Sequence, residues 1–328
     1  MSKLYPLKFE TIYKDKVWGG NRIKTLLGKD YSPKPNCGET WELSGLPGNI
    51  SIVNNGYLAG NNIAELAEIY MDDLLGESIF ENNGTEIPLL FKYVDTNDYL
   101  SIQVHPDDKI AAKRHNSSGK TEMWYVVHAE PNAEIIVGFK KDVTKNEYIH
   151  HLENKTLKEI LNIEKAQKGD VFFIPAGRIH AIGAGITLAE IQQSSDITYR
   201  IYDWDRPDKD GNMRELHTKL AVDVIDFKAL SQYKTKYKES INKSNKLIEC
   251  SYFTTNLISF DKKIMCNYES IDSFIVIMCI EGSYHIEWQG GKDIVKCGET
   301  MMIPANMKNF ILTPVKPSKV LETYINKS

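Results

Sequence analysis

The chain of 328 residues carries 40 Lys and Arg against 44 Asp and Glu, with 42% hydrophobic and 26% charged residues. A formal charge of -4 excludes the broad basic field that nucleic acid or an anionic membrane would need, and leaves a small molecule as the default partner. The opening MSKLYPLKFETIYKDKVWGG has no apolar leader and no long apolar run follows it, so a soluble cytoplasmic protein without a membrane span is expected.

Tryptophans come early, in Val17-Trp18-Gly19-Gly20 and at Trp41, where a β-segment more often packs them into a core than at a pocket mouth. NNIAELAEIYMDDLLGESIF, after Gly60, repeats apolar residues every three to four positions and predicts a helix. In LSIQVHPDD, Ser101, Gln103 and His105 alternate with Leu100, Ile102 and Val104. Successive strand residues point to opposite faces, so one face is apolar and the other carries chemistry. GKTEMWYVVHAE predicts a strand with Glu122, Trp124, Val126 and His128 on one face.

The polar segment 142–166 has helical spacing in TKNEYIHHL and TLKEILNI and predicts a small helical insert. GDVFFIPAG and ITLAEIQQ read as strands, with Gly183-Ala184-Gly185 as a turn rather than a dinucleotide fingerprint. The charged segment from Lys236 to Glu249 could serve as a linker, but it follows the helix-like KLAVDVIDFKAL, which places the domain boundary near Phe227. SFIVIMCIEGSYHIEW and ETMMIPA add strands near the end. The fold class is therefore mainly β, with antiparallel sheets in a barrel or jelly roll rather than βαβ units.

Gly169-Asp170-Val171-Phe172-Phe173-Ile174-Pro175-Ala176 is echoed by Gly298-Glu299-Thr300-Met301-Met302-Ile303-Pro304-Ala305, which points to two related β-domains, 1–227 and 228–328. The echo sets His180 against Asn309, so the second copy lacks that imidazole, and His285 there has no partner comparable to Glu122. The five cysteines are odd in number and form no CxxC pair, which suits reduced thiols.

Gln103, His105, Glu122 and His180 offer one amide oxygen, two imidazoles and one carboxylate from three predicted strands. That set suits zinc, although a lone strand histidine is more often hydrogen-bonded in a core. A buried carboxylate in an apolar strand needs a partner or a metal. Lys120 lies on the Glu122 face, and Arg200 offers a rigid fork of donors for a phosphate or an enediolate oxygen. Both could equally be solvated surface charges.

Gln-x-His, a later Glu, and a His after Gly-Asp-x-x-x-Ile-Pro-Ala resemble the cupin pattern, with Gln103 where the first His is usual and a longer spacing to Glu122. More narrowly, Val17-Trp18-Gly19-Gly20, Gly38-Glu39-Thr40-Trp41-Glu42, Leu100 to Asp107, Gly119 to Tyr125, Pro175 to His180, Gln192 to Arg200 and His217 to Phe227 resemble the type I mannose-6-phosphate isomerases in their short bacterial form. The resemblance implies two cupin-like β-domains, with one zinc per chain on Gln103, His105, Glu122 and His180. It implies a zinc-dependent aldose-ketose isomerase interconverting mannose 6-phosphate and fructose 6-phosphate through an enediol. It also implies active-site roles for Lys120 and Arg200, a Ser101 hydroxyl on the substrate phosphate and a base or relay role for Glu190, while Asp196 would orient Arg200 or cap a turn. The short helical insert replaces a large helical domain and implies a more open pocket. Two rivals remain at this level, an iron or manganese redox cupin and a non-catalytic sugar-phosphate-binding bicupin, and the oligomeric state is open.

Overall fold

The computed structural model describes residues 4–207 and 211–326. In its first part β1 (Ile12–Lys14), β2 (Glu39–Leu43), β3 (Leu89–Thr96), β4 (Ile102–Val104), β5 (Glu122–Ala129), β6 (Glu134–Phe139), β7 (Leu161–Lys165), β8 (Val171–Ile174), β9 (His180–Ile182), β10 (Ile186–Gln193) and β11 (Tyr199–Tyr202) form two antiparallel sheets. Their orders are β1-β2-β3-β10-β5-β8 and β11-β4-β9-β6-β7. Val94, Trp124, Val126, Phe172 and Leu188 of the first sheet meet Ile135, Val137 and Ile182 of the second in a shared core. Period-2 alternation is what lets each strand feed this core from one face only.

A third antiparallel sheet combines β12 (Lys243–Glu249), β13 (Thr254–Phe260), β14 (Ile264–Asn267), β15 (Ile275–Trp288), β16 (Gly291–Lys296), β17 (Thr300–Ile303) and β18 (Asn309–Tyr324). It curls around Phe260, Ile277, Tyr284, Ile286 and Phe310. Leu257, Phe274, Val276 and Met278 join Leu43, Phe91, Tyr93, Met123 and Tyr125 of the first sheet in one further core. Each large apolar side chain buried there contributes about 1.5–3 kcal/mol. Leu7 exchanges two backbone hydrogen bonds with Met302, at 2.8 and 2.9 Å.

The helices are α1 (Arg22–Thr25), α2 (Ile63–Leu75), α3 (Glu77–Asn83), α4 (Asp108–His115), α5 (Lys145–Glu153) and α6 (Thr218–Val222). The helix expected after Gly60 is α2 with α3, started by a capping box in which Asn62 and Glu65 satisfy each other's backbone amides. None of these helices is long and apolar enough to cross a membrane.

Three sequence expectations need correction. The expected helical stretch 142–166 is helical in α5 and in one 3-10 turn at Leu157–Glu159, but its end is β7, paired with β6; strand pairing overrides the weak helical spacing of TLKEILNI. The charged linker contains β12, whose Leu247 and Ile248 are buried. KLAVDVIDFKAL is helical only as far as Val222. Helix α4 was missed, though Asp107 caps it by accepting from the Ile110 amide.

The echoed motifs form equivalent strands. β8 and β17 each follow a glycine in the left-handed region, Gly169 at φ +92° and Gly298 at φ +87°, a conformation that a Cβ disfavours. His180 opens β9 as Asn309 opens β18.

Candidate active site

Strand register assembles the site in two facing rows. Across the five-stranded sheet, Arg200 pairs with Gln103 and Gln103 with His180. Across the six-stranded sheet, Trp41 pairs with Lys92, Lys92 with Glu190 and Glu190 with Trp124. Residues directly opposite in a ladder share a face, so both rows look into the space between the sheets. Glu122 lies two residues before Trp124 and therefore on the same face.

His105, Glu122 and His180 are buried and present ligand atoms within 4.8 Å of one another. Glu122 Oε1 is 3.4 Å from His180 Nε2, and Glu122 Oε2 is 3.6 Å from His105 Nε2. Each imidazole is held from behind: His105 Nδ1 lies 3.0 Å from the Ile197 carbonyl oxygen and His180 Nδ1 2.8 Å from that of Arg178. Such contacts place the proton on Nδ1 and leave Nε2 as a lone pair facing its neighbours. Gln103 Nε2 approaches His180 Nε2 at 3.3 Å, and a half-turn of the amide would present its oxygen instead. His105 Nε2 and Glu122 Oε2 have no hydrogen-bond partner although both are buried. The orphaned atoms of His105 and Glu122, with His180 Nε2 3.4 Å from the same carboxylate, fit a divalent cation of borderline softness.

The electrostatics agree with that fit. Burial lowers both histidines, with Lys120 adding to the effect, His180 to about 4 and His105 well below its ordinary range. Burial also raises Glu122 to about 7, against the opposing pull of Lys120, whose Nζ lies 3.4 Å away. Neutral imidazoles are the ligand form.

Beside this cluster is a cavity of about 220 Å³ whose lining includes Ser101, Gln103, Lys120, Glu190, Asp196 and Arg200. Glu190 is buried, with Lys92 Nζ 3.1 Å from Oε1 and the Trp124 indole N–H donating to Oε2 at 3.0 Å. Burial would raise its pKa, but Lys92 and Lys120 outweigh burial and hold the carboxyl below its ordinary range. Arg200 donates through one terminal nitrogen to the Glu215 carbonyl, while its buried Nε has no partner. Of the two roles left open for Asp196, a direct hold on Arg200 is not seen among the described residues, where the guanidinium bonds Glu215 instead.

The lining also holds Lys16, Glu39, Lys92 and Arg214, to which sequence reasoning gives no role, and Trp41, for which a place at the pocket mouth is the less favoured reading from sequence. Lys92 interrupts the apolar run LLFKYV, the same kind of signal that singled out Glu122. Arg214 had none, because a loop folds it back until Asp203 grips it through two hydrogen bonds. Trp18 and Trp41 are buried as expected of core residues and line the cavity as well. Lys14 and Lys92 place their ammonium groups 4.8 and 5.2 Å from the Trp41 ring centre.

Comparison with known proteins gives a consistent picture. Residues 6–121 match the family described as phosphomannose isomerase type I, catalytic domain. The chain is 34% identical over 311 residues to mannose-6-phosphate isomerase ManA of Bacillus subtilis, covering 94% of this chain and 95% of that protein. It is 40% identical over 221 residues to mannose-6-phosphate isomerase of Streptococcus mutans, covering 67% of each. The crystal structure of the Bacillus subtilis mannose 6-phosphate isomerase superposes with a TM-score of 0.88 at 29% identity, covering 98% of this chain and 99% of that one. A structure from Archaeoglobus fulgidus, titled a putative mannosephosphate isomerase, shares the fold with a TM-score of 0.78 at 21% identity over the full length of both chains.

Proposed function

The chain belongs to the type I phosphomannose isomerase family, and from that membership we propose that it interconverts mannose 6-phosphate and fructose 6-phosphate in the cavity between its first two sheets. The observation that carries this reading is the triangle of His105, Glu122 and His180, whose unpartnered atoms adjoin a cavity lined by Lys92, Lys120 and Arg200. In this reading these three side chains and the Gln103 amide hold one zinc ion per chain. When bound, zinc supplies Lewis-acid charge beside oxygens that become anionic.

The reaction moves a proton between C2 and C1 through an enediol, without net oxidation. It needs a base, cations for the developing oxyanion and an anchor for the phosphate. Glu190 is the proposed base or relay, because Lys92 and Lys120 keep it ionised. Arg200 has an unpaired Nε and is the proposed electrophile or anchor, with Lys120 beside it. The Ser101 hydroxyl is the proposed donor to the phosphate. Trp18 and Trp41 narrow the cavity and limit water around the sugar.

The deciding experiment follows fructose 6-phosphate formation from mannose 6-phosphate before and after chelation, then after zinc is restored. Turnover lost on chelation and regained with zinc is expected. A fully metallated protein without turnover would overturn the reading in favour of a sugar-phosphate-binding protein. Activity restored by iron with oxygen consumption would replace it with redox chemistry.

A further inference from the structure

A second and larger cleft, of about 620 Å³, lies between the N-terminal β-segments and the third sheet. Lys8, Thr11, Tyr13, Lys29 and Glu42 line one side, and Lys296, Glu299, Thr300 and Lys316 the other. This volume is typical of small-molecule sites. Most of its charges are matched: Lys29 Nζ lies 2.8 Å from Glu42 Oε2, and Lys8 Nζ 3.4 Å from Glu299 Oε2. Four residues of the lining nevertheless keep an unpartnered polar atom. Glu42 and Thr300 are both more than nine-tenths buried, yet Glu42 Oε1 and Thr300 Oγ1 have no hydrogen-bond partner. Lys296 and Lys316 are exposed, and their ammonium groups form no hydrogen bond or ion pair among the described residues.

Strand β2 forms part of the wall of both cavities. In β2, Glu39 and Trp41 line the catalytic cavity, while Glu42, on the opposite face of the strand, lines the cleft. In β1, Tyr13 lines the cleft while its neighbour Lys14 reaches over the Trp41 ring. One layer of backbone therefore separates the two cavities.

We propose that this cleft is a second ligand site, taking a small hydroxyl-bearing phosphate ester and coupled through β2 to the catalytic cavity. The phosphate would meet the free ammonium groups of Lys296 and Lys316, and the hydroxyls would satisfy Glu42 and Thr300, buried polar atoms that otherwise cost stability. A ligand there touches both sides of the cleft, so it favours one placement of β2 and hence of Glu39 and Trp41. The coupling, though not the binding, rests on the isomerase reading above.

Glycerol 3-phosphate, titrated by calorimetry into the full chain carrying Arg200→Ala, reads the cleft with the catalytic cavity weakened. Binding at one site per chain is expected, weakened at least about tenfold by Lys296→Glu with Lys316→Glu, the loss of charge-assisted bonds. Thr300→Val should weaken it too, without the surface charge reversal. Equal affinity with and without the two lysines overturns the proposal. In the otherwise native chain the ester should shift the KM or kcat for mannose 6-phosphate about fivefold, and leave the Lys296→Glu, Lys316→Glu chain, whose basal turnover should be normal, less affected. Competition in the catalytic cavity alone would move both proteins equally and refute the coupling. Absence of basal turnover in both would sink the isomerase reading, and calorimetry would still judge the cleft.

Discussion

His105 Nδ1 faces the backbone carbonyl of Ile197 at 3.0 Å, three residues before Arg200. One short connection thus orients an imidazole of the buried triangle and leads into the strand that delivers the guanidinium.

Removing a corner of that triangle should cost metal and rate together. Glu122→Gln and His105→Ala are each expected to lose bound zinc, with at least about a hundredfold loss of turnover. Elemental analysis beside the isomerase assay checks this. A variant that keeps a full equivalent of zinc would show that its residue is not a ligand.

Arg200→Lys should separate binding of metal from catalysis. The ammonium cannot reproduce a planar fork, so zinc content should stay normal while kcat falls about a hundredfold, the usual cost of one lost donor. An unchanged kcat would remove Arg200 from the mechanism.

Lys92→Met leaves Glu190 buried without its nearest cation. The expected destabilisation at neutral pH is about 3–5 kcal/mol, read from urea unfolding. In the native chain the folded Glu190 is held below its ordinary range, so its contribution is present above the unfolded pKa and fades as pH falls through the folded one. The deficit of the variant should therefore be largest near neutrality and shrink as acid protonates Glu190. A deficit independent of pH would mean that Lys92 acts by packing alone.

His285→Ala should be close to neutral. His285 lies on β15 opposite Ile294 and Thr313, away from the buried triangle. Its loss should change stability by less than about 0.5 kcal/mol and leave turnover intact. A strong loss of activity would contradict a silent second repeat.

The site was legible where alternation met chemistry. Ser101, Gln103 and His105 on every second position of an apolar strand, and Glu122 opening another, marked inward-facing polar groups before any coordinates. The Gly-acidic-Ile-Pro-Ala echo likewise marked the equivalent strands β8 and β17. What stayed hidden depends on long-range register. Trp41, Lys92 and Glu190 become neighbours only when β2, β3 and β10 align, and nothing local encodes that pairing. The failure at β7 has the same cause: Leu161 and Ile163 fit either period, and the edge of β6 decided between them.

The paired backbones of Leu7 and Met302 set a condition on biosynthesis. An early segment of the described chain finds its ladder partner only after nearly all of it has left the ribosome, and Phe91 and Tyr93 wait for Phe274 and Val276 in the same way. Contacts of such long sequence separation slow folding and leave apolar surface uncovered in the meantime. A nascent chain halted near Phe227 would expose that uncovered sheet face to water, a client for a chaperone rather than a free-standing enzyme.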